Sequence, residues 1–314
     1  MSEKKSSGGT DFRYDTGASR IPWAAVGELS QHDDILDIVR FLLPPNEGAE
    51  AAYGRACGRV SEALDVLRHF GHPATKLTLG GKVAELEQQA AAFLRAKHAT
   101  FLTNATAGFE IAYKFAGLQP GDEVIAPAIT FIATIAYPLS IGAEVVLADV
   151  DPRTINMDPE DVARKITPRT KVIIPVHIGG YPVDMDPIMQ LAEEHDITVI
   201  EDAAHGFGGE YKGKMLGAVG HFGAFSFHEV KNITSLGEGG ILVTDTECGE
   251  AFGKARFLGL DLSVQIQNWL YDVTALEGKS GPFAPGNHSA TEIQALALIG
   301  QMSRLAGIIA ERRK

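Results

Sequence analysis

From residue 76 onward, short apolar runs alternate with stretches whose apolar positions recur every three or four residues. Strands are predicted at Ala99–Leu102, 123–126 (EVIA), 144–148 (EVVLA), 171–176 (KVIIPV), 197–201 (ITVIE), 222–226 (FGAFS) and 240–244 (GILVT). Helices are predicted over 81–98, where Val83, Leu86, Ala90, Phe93 and Leu94 form one stripe, from Asn104 to Phe115, and over 132–141, 159–166 and 186–195. Apolar strands alternating with helices predict an α/β domain around a mainly parallel sheet.

The first 75 residues read differently. Residues 1–20 are polar and predict a flexible leader. Over 31–43, Ile35, Ile38, Val39 and Leu42 keep helical spacing until Pro44-Pro45 ends the run. A second helix is predicted over 48–70, stopping before Gly71 and Pro73. This region carries no chemistry that its residues reveal, and packing is its expected role.

Composition narrows the function. The chain of 314 residues is 45% hydrophobic and 22% charged, which is globular and excludes a disordered or fibrous protein. A net charge of −12 offers no general attraction to a phosphate backbone, so nucleic acid is not expected as a partner. No apolar run reaches the ~20 residues that span a bilayer, the polar start lacks a signal peptide's apolar core, and Cys57 and Cys248 match no metal or redox spacing. A soluble, cytoplasmic protein without a metal site is expected.

In parallel sheets, ligands bind beyond the carboxyl ends of the strands, which ranks the candidate residues. Asn104-Ala105-Thr106-Ala107-Gly108 follows a strand and opens a helix. Its free N–H groups could receive a phosphate, or the motif could be an ordinary cap. Asp202 ends the run VIED, where a carboxylate could bind a metal, act as a base, pair with a cationic ring nitrogen, or cap the next helix. Glu201, one residue earlier, should face the opposite side. Lys231 lies in SFHEVKNITSLGEGG. Shielded by Phe225 and Phe227, its amine would be a desolvated nucleophile; otherwise it is a surface lysine. Gly237, Gly239 and Gly240 favour the first alternative, since they imply an unusual backbone path. His177, after another strand, is expected to be hydrogen-bonded and to line the cleft.

These motifs occur in an order that resembles the DegT/StrS family of sugar aminotransferases. The resemblance rests on NATAG, TFIAT, EDAAH, then SFHEVKN with GEGG, supported by PGDEVIAPAITFIAT and TEIQALALIGQMSRL, and covers roughly residues 76–313. It implies a pyridoxal 5'-phosphate enzyme on the large domain of the fold type I transferases, with a mainly parallel seven-stranded sheet between helices. It implies that Lys231 binds the cofactor aldehyde covalently and moves the proton, and that Asp202 keeps the pyridine nitrogen protonated. His205 would contact the phenolic-oxygen side and Phe131 would stack on the ring. Ala105, Thr106 and Ser226 would hold the phosphate. Asn287 of a second copy would complete the site across a homodimer. The implied reaction takes an amino group from glutamate or glutamine to a nucleotide-linked keto-sugar. Lysine rather than histidine at 231 favours transamination over the dehydration performed by one branch of the family.

The chain also departs from the family pattern. It ends at Lys314, where relatives continue into a small C-terminal domain, so a truncated or non-catalytic cofactor-binding paralogue is the rival expectation. Ser289 stands where an arginine is usual, and the segment from about 43 to 75 is longer than usual. The expected organisation is a leader (1–20), a helical segment (21–75), a cofactor-binding domain (76–260), and a substrate and dimer loop leading to the absent domain (261–314).

Overall fold

A computed structural model describes residues 32–71, 77–262 and 273–312. The leader expected over 1–20 lies outside these residues, as do parts of the segments 21–75 and 261–314. The described residues fall into two compact units, one before Leu77 and one from Leu77 onward.

The first unit contains α1 (His32–Leu42) and α2 (Glu50–Phe70). The apolar stripe expected on α1 is not its buried face: Leu36 is buried, while Ile35, Ile38 and Leu42 are exposed. On α2, likewise, Cys57 is the buried residue, and Val66 and Leu67 are exposed.

The second unit is built on a seven-stranded sheet. Its strands are β1 (His98–Leu102), β2 (Glu123–Pro127), β3 (Glu144–Ala148), β4 (Thr170–Ile173), β5 (Thr198–Asp202), β8 (Phe222–Ser226) and β9 (Gly240–Thr244). Their order is β1-β9-β8-β5-β4-β2-β3. β9 runs antiparallel to both neighbours, and all other pairings are parallel. β4 is shorter than the run 171–176 suggests. Pro175 has no N–H for a ladder, although its carbonyl still accepts from Asp202 N at 2.8 Å, and Val176 only bridges to Asp202. Two hairpins were not expected from the pattern: β6 (Glu210–Tyr211) with β7 (Lys214–Met215), and β10 (Leu276–Gly278) with β11 (Gly281–Phe283). In the first, Lys212 and Gly213 both have positive φ, the geometry of a tight two-residue turn.

Strand alternation gives the sheet two apolar faces. Ala224 and Leu242 face α4 (Ala105–Phe115), which brings Phe109, Ile111, Tyr113 and Phe115 into one core. Phe225, Ile241 and Val243 face the other way, onto Val83, Leu86 and Leu94 of α3 (Gly81–Leu94). Each such fully buried aliphatic side chain contributes about 1.5–3 kcal/mol through removal of its surface from water. Helix starts are fixed locally. Asn104 Oδ1 accepts from Ala107 N at 2.9 Å at the head of α4, and Glu292 accepts from the N–H groups of Gly80, Lys82 and Val83 at the head of α3.

Among the described residues, no single helix is long and apolar enough to cross a membrane. The pair Glu292–Met302 and Leu305–Arg312 reaches that length only together, across a 64° bend, and it buries Ala295, Leu298 and Leu305 in the protein's own core.

Glu201 is the buried tie of this unit. Its carboxylate accepts from the N–H groups of Gly217 (2.9 Å), Val219 (2.7 Å) and Gly220 (2.6 Å), and it pairs with His177 Nε2 at 2.8 Å. His177 Nδ1 accepts from Val183 N, so the ring proton sits on Nε2, facing Glu201. Glu201→Ala strips the acceptor from three backbone N–H groups, and is expected to lower the unfolding free energy in urea by at least about 3 kcal/mol. A variant within about 1 kcal/mol of the parent would show that this carboxylate is not the tie.

Candidate active site

The carboxyl ends of β1, β5 and β8, with the segments that follow β2 and β4, surround a cavity of about 470 Å³. Of the residues singled out from the sequence, Ala105, Thr106, Phe131, Asp202, His205, Ser226 and Lys231 all line it. Asn287 does not: it is exposed, at a bridge to Phe257 outside the cavity of its own chain. His177 does not line the cavity either. It is fully buried behind the end of β5, where its N–H donates to the Asp202 carbonyl at 3.0 Å.

One end of the cavity is the turn from β1 into α4. Asn104 caps Ala107, which leaves the N–H groups of Ala105 and Thr106 to meet an incoming acceptor. Gly240 fits closely under this turn. A Cβ there would lie 2.2 Å from Asn104 C and 2.6 Å from Ala105 N. The close approach expected of the glycine-rich segment is therefore real at Gly240, and Gly237, with φ +116°, supplies the unusual path. The Ser226 hydroxyl stands at the end of β8, where Oγ accepts from His228 N at 3.3 Å.

At the other end, Asp202 is buried. Its Oδ2 accepts from Thr134 Oγ1 at 2.7 Å and its Oδ1 from Ala204 N at 3.1 Å. Burial raises the pKa of this carboxyl, against the hydrogen bonds from Thr134 and Ala204 and the fields of His205 and His177. Lys231 is half-buried, and its amine forms no hydrogen bond or ion pair with any described residue. Burial lowers its pKa, partly opposed by Asp202, which favours the neutral nucleophilic amine. His205 is lowered by burial and by Lys231, and Nδ1 accepts from Gly179 N at 3.3 Å. The expected shielding of Lys231 by Phe225 and Phe227 is not what the structure shows. Both rings pack on Phe207, at 5.3 Å and 5.1 Å, in the core beneath the sheet. Phe131 is 73% exposed on the cavity wall, presenting an open aromatic face.

This donor set fits pyridoxal phosphate. The open helix start suits its phosphate, the unpaired amine suits its aldehyde, and a buried carboxylate whose hydrogen-bond donors are all neutral suits a cationic ring nitrogen. Thr134, which donates to Asp202 from the start of the next helix, was not singled out from the sequence; only its place in TFIAT marks it.

Comparison with known proteins gives one consistent result. Residues 65–314 match the model of the DegT/DnrJ/EryC1/StrS aminotransferase family. The spore coat polysaccharide biosynthesis protein SpsC of Bacillus subtilis (strain 168) is 40% identical over 237 residues, covering 73% of this chain and 58% of that protein. A putative sugar aminotransferase of Streptococcus pneumoniae, solved in its PLP-form, is 29% identical with a TM-score of 0.66, over 79% of this chain and 64% of that one. Helicobacter pylori PseC, an aminotransferase involved in the biosynthesis of pseudoaminic acid, is 27% identical with a TM-score of 0.65, over 74% and 60%. The chain thus spans less than two thirds of the length of each of these relatives.

Gly240→Ala tests the phosphate end. Its Cβ must displace the Asn104–Ala105 turn, so pyridoxal phosphate is expected to bind about tenfold more weakly, with pyridoxal nearly unaffected. Equilibrium dialysis with both ligands measures the difference, and an equal loss for both would remove the phosphate from this turn.

Proposed function

This chain belongs to the DegT/DnrJ/EryC1/StrS aminotransferase family, and we propose that it transfers an amino group from glutamate or glutamine to a nucleotide-linked keto-sugar, using pyridoxal 5'-phosphate. The observation that carries this reading is the Lys231 amine, without a partner among the described residues, sharing one cavity with the buried Asp202 carboxylate.

Bound there, the cofactor supplies an electron sink for the bonds at the amino-bearing carbon. This chain's residues do the rest. Asp202 holds the ring nitrogen's proton and, in doing so, gains the cation that its burial calls for. Lys231 provides the amine that first holds the aldehyde. With the cofactor bound, its amine would be placed to take and return a proton on one face of the ring. Phe131 covers a ring face, and His205 stands beside Lys231 and Asp202, where it can meet the phenolic oxygen. The Ala105 and Thr106 N–H groups with the Thr106 and Ser226 hydroxyls orient the phosphate. Asn287 is part of the reading as a residue given to a second copy's site, in a cytoplasmic homodimer with residues 76–260 as the cofactor-binding domain. Its exposure outside its own cavity supports that role, and the free thiols Cys57 and Cys248 suit a reducing compartment.

The test is direct. The purified chain mixed with pyridoxal phosphate is expected to give a visible absorption band that shifts when glutamate or glutamine is added. Borohydride reduction followed by peptide mass spectrometry is expected to find the adduct on Lys231. Lys231→Ala should lose the adduct and lower turnover at least about 1,000-fold. A band that answers to no donor would make the chain a binding paralogue. Water loss instead of amination in the product mass would make it a dehydratase.

A further inference from the structure

We propose that Thr134 is a positioning residue for Asp202: it donates its hydroxyl proton to Oδ2, is polarised in turn by Thr130, and so holds the carboxylate ionised and in one orientation. The inference rests on the cofactor reading above and adds to it the device that prepares the acid before any cofactor arrives.

Thr134 is fully buried, so its hydroxyl has no water to turn to and must find partners within the protein. It has two: Asp202 Oδ2 at 2.7 Å and Thr130 Oγ1 at 2.7 Å. An ionised carboxylate only accepts, so the single Thr134 proton goes to Asp202. Thr134 must then accept from Thr130, and the chain has one direction, from Thr130 through Thr134 to Asp202. Hydrogen bonds arranged head to tail strengthen one another in a poorly solvated site.

The main chain holds Thr134 just as firmly. Its carbonyl accepts from the buried Tyr113 hydroxyl at 2.8 Å, and its N–H donates to the Phe131 carbonyl at 3.1 Å. Thr130 lies four residues earlier, so both hydroxyls share one side of the first turn leading into helix Ala133–Ile141. Phe131 sits between them in sequence, so the wall that carries the exposed ring is tied to the acid. The charged and titratable groups around Asp202 are Lys231, His205, His177 and Tyr113. None of them donates a hydrogen bond to its carboxylate; Thr134 and the Ala204 N–H do.

The test reads Asp202 itself. Carboxyl carbon NMR of the isotopically labelled, cofactor-free chain gives its titration midpoint, and equilibrium dialysis gives the affinity for pyridoxal phosphate. Thr134→Val keeps the shape but removes the donor, so the midpoint should rise by about one pH unit and the affinity fall about tenfold. Thr134→Ser keeps the donor and should restore both. A Thr134→Val protein with native circular dichroism and an unchanged midpoint overturns the proposal. So does Thr134→Ser behaving like Thr134→Val, since the retained hydroxyl would then not be what sets the midpoint. If Thr134→Val does not fold, Thr130→Val decides: a raised midpoint supports the chain, and an unchanged one overturns it. Failure of the parent to bind pyridoxal phosphate would sink the aminotransferase reading, yet the NMR titration would still judge Thr134.

Discussion

Two consecutive carboxylates at the end of one strand divide the work of this domain. Glu201 and Asp202 are both buried, and alternation sends them to opposite sides of the sheet. Burying an ionised carboxylate is costly unless hydrogen bonds replace its water. Glu201 is met in full, by three backbone N–H groups and His177, and it ties the loop at 217–220 to the sheet. Asp202 is met only in part, by one hydroxyl and one N–H, and it faces a cavity. The contrast separates an acid held wholly by the protein from one that meets fewer donors and lines the cavity. Their proximity also has a purpose. His177, whose ring is fixed by Glu201, donates its main-chain N–H to the Asp202 carbonyl, so the satisfied acid helps to hold the main chain of the other.

The remaining parts of the site depend on close approach of backbone. Gly240 opens β9 directly under the Asn104–Ala105 turn, and Gly108 lets α4 settle on Ala224, whose Cβ lies 3.1 Å from where a glycine side chain would begin. With these contacts, the head of α4 is pressed against the sheet edge that also carries Ser226. Polar groups from distant parts of the sequence therefore meet at one end of the cavity without a long side chain to span the distance. Preorganisation of this kind matters because donors that need not move cost little when a ligand binds.

The strand–helix alternation was legible because core strands are apolar on both faces, as in β9, where Leu242 enters one core and Ile241 and Val243 the other. Seven of the eight site residues could be ranked because they follow strands, and the rule about carboxyl ends needs only that. What the sequence hid has physical reasons. The β6–β7 hairpin has two residues per strand, too few to show a period. His177 follows a strand as Asp202 ends one, yet its ring is turned inward by Glu201, a partner distant in sequence. Phe225 and Phe227 sit close to Lys231 in sequence but belong to the opposite face, since alternation gives the cavity only Ser226 between them. The stripe on α1 marks amphipathicity, but periodicity alone does not say which of its residues are covered, and Leu36 rather than Ile35 is the buried one. Thr134 acts through tertiary contacts that no local motif announces.

The antiparallel placement of β9 has a consequence for how the molecule is made. β1 lies at the sheet margin, and its one neighbour is β9, with His98 opposite Thr244 and Leu102 opposite Gly240. During synthesis β1 emerges well before β9, and its ladder groups pair with water until β9 has left the ribosome. Such late, long-range closure is slow and leaves an edge open to unwanted association. Because the Asn104–Thr106 turn that lines the cavity directly follows β1, the last strand to join would also be the one that completes the pocket. Ligand-binding competence should therefore appear as one of the final events of folding.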